Sequence, residues 1–259
     1  MSHFVVMVTN TNEELVEAQL APFSEEVEEG DYFAEKEYYL RNDKKEISEW
    51  LDNEIKVSKD YLKNPDVPAD TKKWWQKNLK DLERIKALKT SKGQLKAIQK
   101  LEGGILDKEG LYSLNNPNAK WDWWVEGGRW NNWLIKKNGE KCNRCRIKDI
   151  DFDAIRIKEM VDNAKYWIEE TERAKVEKRK PFFWGWGKKP TLEQYVESVN
   201  CSVASYAILH EGKWIEKGEM GWWGIDDPHY TEEEWGLKFQ EFIKGLDPET
   251  EVTIVDCHI

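Results

Sequence analysis

The sequence predicts an α+β fold: an antiparallel sheet, ferredoxin-like in having its first and last strands adjacent, with helical insertions. Three observations predict it. β-Branched, apolar runs lie at both ends of the chain, HFVVMVT at 3–9 and EVTIVDCH at 251–258. Apolar residues recur at 3–4 spacing between 71 and 101. The C-terminal part reads strand, strand, helix, strand, which buries one helix on one sheet.

Taken in order, His3–Thr9 is a strand, and Asn10 and Thr11 are cap-type residues before a short helix over 13–19. Residues 25–60 are acidic with interspersed Tyr, Phe and Trp, and read as helix and loop. Pro65 and Pro68 interrupt the pattern. A helix then runs from Thr71 to about Leu88 on Trp74, Trp75, Leu79, Leu82, Ile85, Ala87 and Leu88. A second helix over 91–101 stops at Gly103-Gly104. Trp121–Val125 and Trp130–Ile135 are aromatic strand candidates, with Glu126-Gly127-Gly128-Arg129 as the hairpin turn between them. Residues 151–175 return to a helix, 180–190 (KPFFWGWGKKP) form an aromatic, Gly/Pro-rich loop, and Thr191 with Gln194 resembles a capping box. Strands follow at 204–209 and 214–218. Thr231 caps a helix over 231–245 whose three leading glutamates suit the helix dipole. The expected organisation is a single α+β domain over 1–259, with 25–112 a mainly helical insertion within it.

Composition narrows the function. The chain has 259 residues, 39% hydrophobic and 35% charged, enough apolar material for one good-sized core. No apolar run approaches the roughly 18 residues of a membrane span. The opening MSHFVVMVTN lacks a basic n-region and an apolar h-region. Four cysteines are too few for a disulfide scaffold. A cytoplasmic location is therefore expected, with no membrane partner. The net charge of −10 is unevenly spread: 16 acids to 6 bases over 1–60, 7 to 13 over 61–120, 14 to 17 over 121–210 and 13 to 4 over 211–259. Acidic ends and a basic middle argue against a double-stranded DNA partner, which needs a basic face to displace counterions, while a small anion could still bind the basic middle. A DNA mimic would need a continuous acidic face, which that middle interrupts.

The residues that carry chemistry are histidines and tryptophans. If the first and last strands are antiparallel neighbours, His3 sits near His258, with Asp256 one pleat away on the face of His258. Two imidazoles beside a carboxylate suit acid–base work near neutral pH, and two strand-end histidines at a solvent edge are the competing reading. His210 and His229 read as surface residues. Fifteen tryptophans are the strongest anomaly of the composition. Trp121, Asp122, Trp123 and Trp124 precede Gly127-Gly128-Arg129-Trp130, and in a hairpin Trp121 and Trp123 would share one face. Arg129 would pair with Asp122 or hold a phosphate. Trp222 and Trp223 lie between glycines and would expose their rings. Exposed rings stack on nucleobases, whereas buried ones pack a core through their indole N–H and area. Cys142 and Cys145 form a C-x-x-C with no second half for zinc, and the alternating Asp149, Asp151 and Asp153 read as helix N-terminal acids rather than a cation loop. Phosphate-loop, dinucleotide and nucleophile-elbow motifs are missing, so no cofactor and no metal is expected.

The blocks MSHFVVMV, QLAPF at 19–23, NPNAKWDWWVEGGRW at 116–130, DIDF at 149–152, YAILHEGKWIEKGEMGWWG at 206–224 and VTIVDCHI at 252–259 together resemble a largely uncharacterised family of phage, prophage and bacterial proteins. The blocks cover about half the chain. Against that family 25–112 and 172–190 look like insertions. The resemblance implies a phage-type accessory protein and supplies no mechanism.

Two functions follow as expectations. In the first, a counter-defence protein binds, and in one form hydrolyses, a nucleotide-like immune signal in a Trp-lined pocket. Trp121, Trp123, Trp130, Trp222 and Trp223 with Asp122 and Arg129 would contact the ligand. His3 and His258, oriented by Asp256, would be acid and base of a metal-independent phosphodiesterase, with Glu219 in reserve as base or ribose contact. In the second, the protein inhibits a host defence enzyme through an acidic, aromatic surface without any chemistry. The first expects a deep pocket and the second a flat aromatic patch.

Overall fold

The computed structural model describes residues 3–9, 13–183, 186–197, 204–220 and 226–259. It is α+β, and it divides into two compact units, 1–25 with 118–259, and 26–117.

The first strand, β1 (His3–Thr9), is followed by α1 (Glu13–Leu20). The chain then enters the second unit: β2 (Glu35–Arg41), α2 (Lys44–Lys63), α3 (Ala69–Lys86), α4 (Ser91–Glu102), β3 (Ile105–Leu106) and β4 (Gly110–Asn115). Its three strands pair antiparallel in the order β2-β4-β3. Leu40, Ile47, Leu51, Ile55, Leu82, Ile85, Leu95, Ile98 and Leu111 form its own core. The 3–4 periodicity of 71–101 comes from this core, because Leu82, Ile85, Leu95 and Ile98 are the buried apolar positions of α3 and α4. The strand β2 departs from the helix and loop expected over 25–60, because EKEYYLR alternates without a clear apolar face and buries only Leu40.

Back in the first unit come β5 (Trp123–Glu126), β6 (Leu134–Ile135), β7 (Lys141–Cys142), β8 (Arg144–Arg146), α5 (Phe152–Val176), α6 (Leu192–Glu197), β9 (Ala207–His210), β10 (Lys213–Glu216), β11 (Gly218–Met220), β12 (Asp226–Pro228), α7 (Glu232–Gly245) and β13 (Glu251–His258). The central sheet runs β10-β9-β1-β13-β5, and β8 pairs with the first half of β13. The first and last strands are neighbours, antiparallel from His3↔His258 to Thr9↔Val252. The sheet departs from the expected all-antiparallel one at β1·β9, which is parallel. No hairpin constrains that pair, since most of the chain lies between its strands, and so either direction is accessible.

Both faces of the sheet are covered, which is why β1 and β13 read as nearly unbroken apolar runs. Phe4, Val6, Val8, Ala207, Leu209, Val255 and Cys257 face Val16, Leu20, Phe23 and Trp121. On the other side Val5, Met7, Ile208, Val252 and Ile254 pack against Trp133, Ile155, Trp235, Phe239 and Ile243. Tryptophan is core material here, and its N–H is satisfied: Trp235 Nε1 donates to Ser205 O at 2.7 Å and Trp133 Nε1 to Glu159 Oε1 at 2.7 Å.

The helix caps match their sequence signatures. Thr231 and Glu234 form a capping box on α7, Thr191 and Gln194 exchange the same pair of bonds on α6, and Asp151 accepts from Ala154 N on α5. The expected Trp121–Ile135 hairpin does not form. β5 pairs with β13 and β6 with β7, and Gly128–Trp130 is a turn of 3₁₀ helix. Gly127 N donates to Ile254 O at 2.8 Å, so β13, rather than the following residues, takes the partner role.

In the C-terminal part of α5, Glu170 is buried and ties down the loop that follows the helix. It accepts from Arg173, Arg179 and Phe182 N, the last at 2.7 Å. Arg179 first, and then the Phe182 N–H, hold its carboxyl down at about 2 from the ordinary 4.5. A depressed carboxyl stabilises the fold fully above its unfolded value and loses that effect as pH falls toward its folded one. Glu170→Gln should therefore lower the melting temperature by several degrees at pH 5–7, with the gap to the native protein shrinking as pH drops from about 4.5 toward about 2. Thermal unfolding of both proteins across that range checks it, and a gap that stays constant down to about pH 2 refutes it.

Candidate functional site

The antiparallel register sets His3 directly opposite His258, and Val5 opposite Asp256. On the far side of β13, Trp123 is opposite His258 and Val125 opposite Asp256. Cross-strand partners share a face. His3, His258, Asp256 and Trp123 therefore meet at one end of the sheet, on the side that carries Val5 and Met7.

Each imidazole has its own carboxylate. His3 Nδ1 donates to Asp256 Oδ1 at 2.9 Å, and His258 Nδ1 to Asp122 Oδ1 at 2.7 Å. A carboxylate only accepts, so both rings carry a proton on Nδ1 and keep Nε2 for another partner. The ring centroids are 5.0 Å apart and nearly perpendicular, at 80°. Trp123 lies flat on His258, with centroids 5.0 Å apart and 14° between planes, and meets His3 edge-on at 5.2 Å.

The expected orientation of His258 by Asp256 is thus corrected. Asp256 orients His3, and Asp122 orients His258, gripping it twice because Asp122 N also donates to His258 O at 2.9 Å. Asp256 is buried, and its second oxygen accepts from Arg129 N at 2.9 Å. This explains the Gly-Gly pair. Gly127 and Gly128 have φ of +73° and +48°, and a Cβ on Gly128 would lie 2.3 Å from Asp256 Oδ2. The glycines let a turn pass over a buried carboxylate, a role with no signature in local sequence.

The expected indole-floored pocket is corrected as well. Trp121 does not share a face with Trp123, because the regular strand begins only at Trp123. Trp121 is buried against Phe23 and Leu20, with Nε1 donating to Leu20 O at 3.2 Å, and is core. Trp130 is half-buried against the Val5 and Met7 core. Trp123 remains, 42% exposed. The cluster is closed rather than deep: His258 is 5% exposed, and its Nε2 is buried without a hydrogen-bond partner among the described residues. Arg129 is exposed, and no described side chain pairs with it; Asp122, its suggested partner, is taken by His258. Glu219 is exposed on β11 opposite Asp227, and no hydrogen bond links it to the histidines. Trp222 and Trp223 lie outside the described residues.

The remaining candidates sit elsewhere. His210 ends β9 rather than lying in the turn, and its Nδ1 is 2.7 Å from Thr9 Oγ1. Cys142 and Cys145 are free thiols, and burial first, then the hydrogen bond with Cys142, pushes the Cys145 thiol up to about 12. Burial likewise raises the Cys257 thiol. Among the described residues, no group of three or more His, Cys, Asp or Glu is arranged to hold a metal ion, and no helix is long and apolar enough to cross a membrane.

Comparisons of the chain with protein-family models, with curated proteins and with solved structures returned no match.

The Gly128 turn is testable. Gly128→Ala forces a side chain into positive φ and onto Asp256, and should destabilise the protein by about 1–3 kcal/mol. The same variant should shift the imidazole ¹⁵N resonances of His3 and leave those of His258, which Asp122 holds. Denaturant unfolding and imidazole NMR read the two effects; native stability with unshifted His3 signals would show that the turn does not support the carboxylate.

Proposed function

We propose that this cluster binds a nucleotide-like ligand and cleaves a phosphodiester in it by metal-independent acid–base catalysis. One observation carries the reading: two imidazoles 5.0 Å apart, each with Nδ1 held by a separate carboxylate. That arrangement fixes Nδ1 of both rings and leaves two Nε2 atoms for one bound group: the neutral ring takes the proton of the attacking water or ribose hydroxyl at Nε2, and the other, entering the reaction as an imidazolium protonated on both nitrogens, gives its Nε2 proton to the departing oxygen, after which the two rings exchange the proton through solvent. The buried, unpartnered His258 Nε2 is a polar atom that a ligand would satisfy.

The surroundings support the ligand class. The outward face of Trp123 is a stacking surface for a base, and exposed Arg129 is a fork for a phosphate. Asp256 and Asp122 act as positioning residues through the imidazoles they hold. Since His258 is closed off by Trp123, ligand entry requires the indole to shift from its stack on the imidazole. The resemblance to phage and prophage proteins supports a setting in which the ligand is an immune signal of the host.

Incubation with a panel of cyclic and linear nucleotides in the presence of EDTA tests the proposal. Loss of one substrate is expected. His3→Ala and His258→Ala should each lower turnover by at least about 100-fold while ligand binding stays within about threefold. Trp123→Ala should weaken binding by about tenfold. Release of intact ligand on heating would leave a binding protein without chemistry, and absence of any interaction across the panel would favour a protein partner.

A further inference from the structure

We infer that the outer faces of α3 and α4 form a docking surface for the sugar-phosphate backbone of double-stranded DNA. This surface lies in the second unit and does not rest on the function proposed for the histidine cluster.

Charge separation is the first observation. Between 72 and 101 there are ten bases and two acids, whereas the rest of the same unit, 26–71 with 102–117, has 8 bases and 17 acids. Seven of the ten bases fall in two rows. Lys73, Lys77, Lys80 and Arg84 recur along α3, and Lys92, Lys96 and Lys100 along α4, at the spacing of 3 and 4 that keeps residues on one helix face. All seven are exposed. The acidic ends of the chain count against a duplex meeting the whole surface, but displacing counterions needs only a local basic face.

The second observation is that these rows cost stability. Like charges three or four apart destabilise a helix by about 0.2–0.5 kcal/mol a pair, and Lys73/Lys77, Lys77/Lys80, Lys80/Arg84, Lys92/Lys96 and Lys96/Lys100 are all such pairs. Only the two ends of the α3 row are offset, Lys73 by Asp70 and Arg84 by Asp81. No described acidic side chain pairs with Lys77, Lys80, Lys92, Lys96 or Lys100. Elsewhere the chain laces its exposed helix faces with opposite charges, as in Lys45–Glu49 on α2 and Lys158–Asp162 and Lys175–Glu172 on α5.

The third is that the rows converge. Arg84 from α3 and Lys100 from α4 border one hollow of about 360 Å³ between the helices. Along α3 the charges follow one another at roughly 5–6 Å, from a rise of about 1.5 Å per residue. A duplex carries one phosphate per roughly 1.7 Å of its axis, a density that closely set bases answer and that scattered carboxylates on a protein do not reach. Single strands bind largely by stacking bases on aromatic rings, and neither row contains one. Trp74, beside the α3 row, meets Trp75 edge-on, and Trp75 stacks on Tyr61 of α2. A lipid surface would need an apolar face next to the basic one, whereas Leu82, Ile85, Leu95 and Ile98 are spent in the core. Contacts from ammonium groups to phosphates carry no sequence information, so the binding is sequence-independent.

The test is fluorescence anisotropy of a labelled mixed-sequence DNA duplex with the full chain over a range of salt. Binding at roughly 1–100 μM is expected, with log K falling against log salt at a slope of about −4 for four to five neutralised phosphates. Lys77→Glu with Lys80→Glu, and separately Lys96→Glu with Lys100→Glu, should each weaken binding more than about tenfold and flatten the slope by about 2. Lys77→Arg with Lys80→Arg should keep both. Lys44→Glu with Lys45→Glu makes the same change of net charge on α2 and should bind within about threefold of the native protein, which separates this face from bulk charge. Thermal melting confirms that each variant is folded, and the two Glu pairs on α3 and α4 should melt no lower than the native chain because they relieve like-charge pairs. Equal duplex binding by the native protein and these two variants overturns the proposal. So does absence of duplex binding at low salt, a single strand of the same length that competes as well as the duplex, or binding to phosphatidylglycerol vesicles without binding to DNA.

Discussion

The pairing of β1 with β13 is the constraint on which the rest depends. Seven residue pairs join the two extremities of the chain, and both strands are buried on both faces. With a side-chain period of two, a one-residue slip would exchange the faces of every residue in one strand. Phe4, Val6 and Val8 would then leave the cluster formed with Val255, Cys257, Leu20 and Phe23, while Val5 and Met7 would leave Ile254 and Trp235. Two cores of different shape therefore enforce one register. The same register carries His3 to His258, so the site is positioned by hydrophobic packing several residues away from it.

Burying polar groups in such a sheet is tolerated only where their bonds are made. Asp256 shows how: one oxygen takes the His3 Nδ1 proton and the other the Arg129 N–H, and two glycines let the turn come close enough. His258 is satisfied at Nδ1 by Asp122 but not at Nε2. A buried nitrogen left unpaired costs about 1–3 kcal/mol, a strain better understood at a binding site than in a passive core.

The tryptophans divide between two tasks. Trp121, Trp133 and Trp235 fill the core and hydrogen-bond through their indole N–H. Trp123 and Trp186 keep part of a ring open beside titratable or basic groups. Neighbours in sequence fall into different classes, as Trp121 and Trp123 do, because the strand starts between them and the local pleat does not extend back to Trp121. Counting tryptophans, or noting flanking glycines, does not separate the classes.

Apolar periodicity and cap chemistry are local properties, so the sequence alone determined the helices α3, α4, α5 and α7, the capping of α5 at Asp151, of α6 at Thr191 and of α7 at Thr231, and the two terminal strands. Adjacency of those strands followed from the need to pair two apolar runs, and it placed His3 near His258. Only the tertiary structure decided which carboxylate serves which imidazole, that β9 runs parallel to β1, and that the Trp121–Ile135 segment is shared between two sheets instead of folding on itself. The reason is that such choices rest on contacts between residues far apart in the chain, as with Asp122 and His258 or Gly128 and Asp256, where no local pattern encodes the partner.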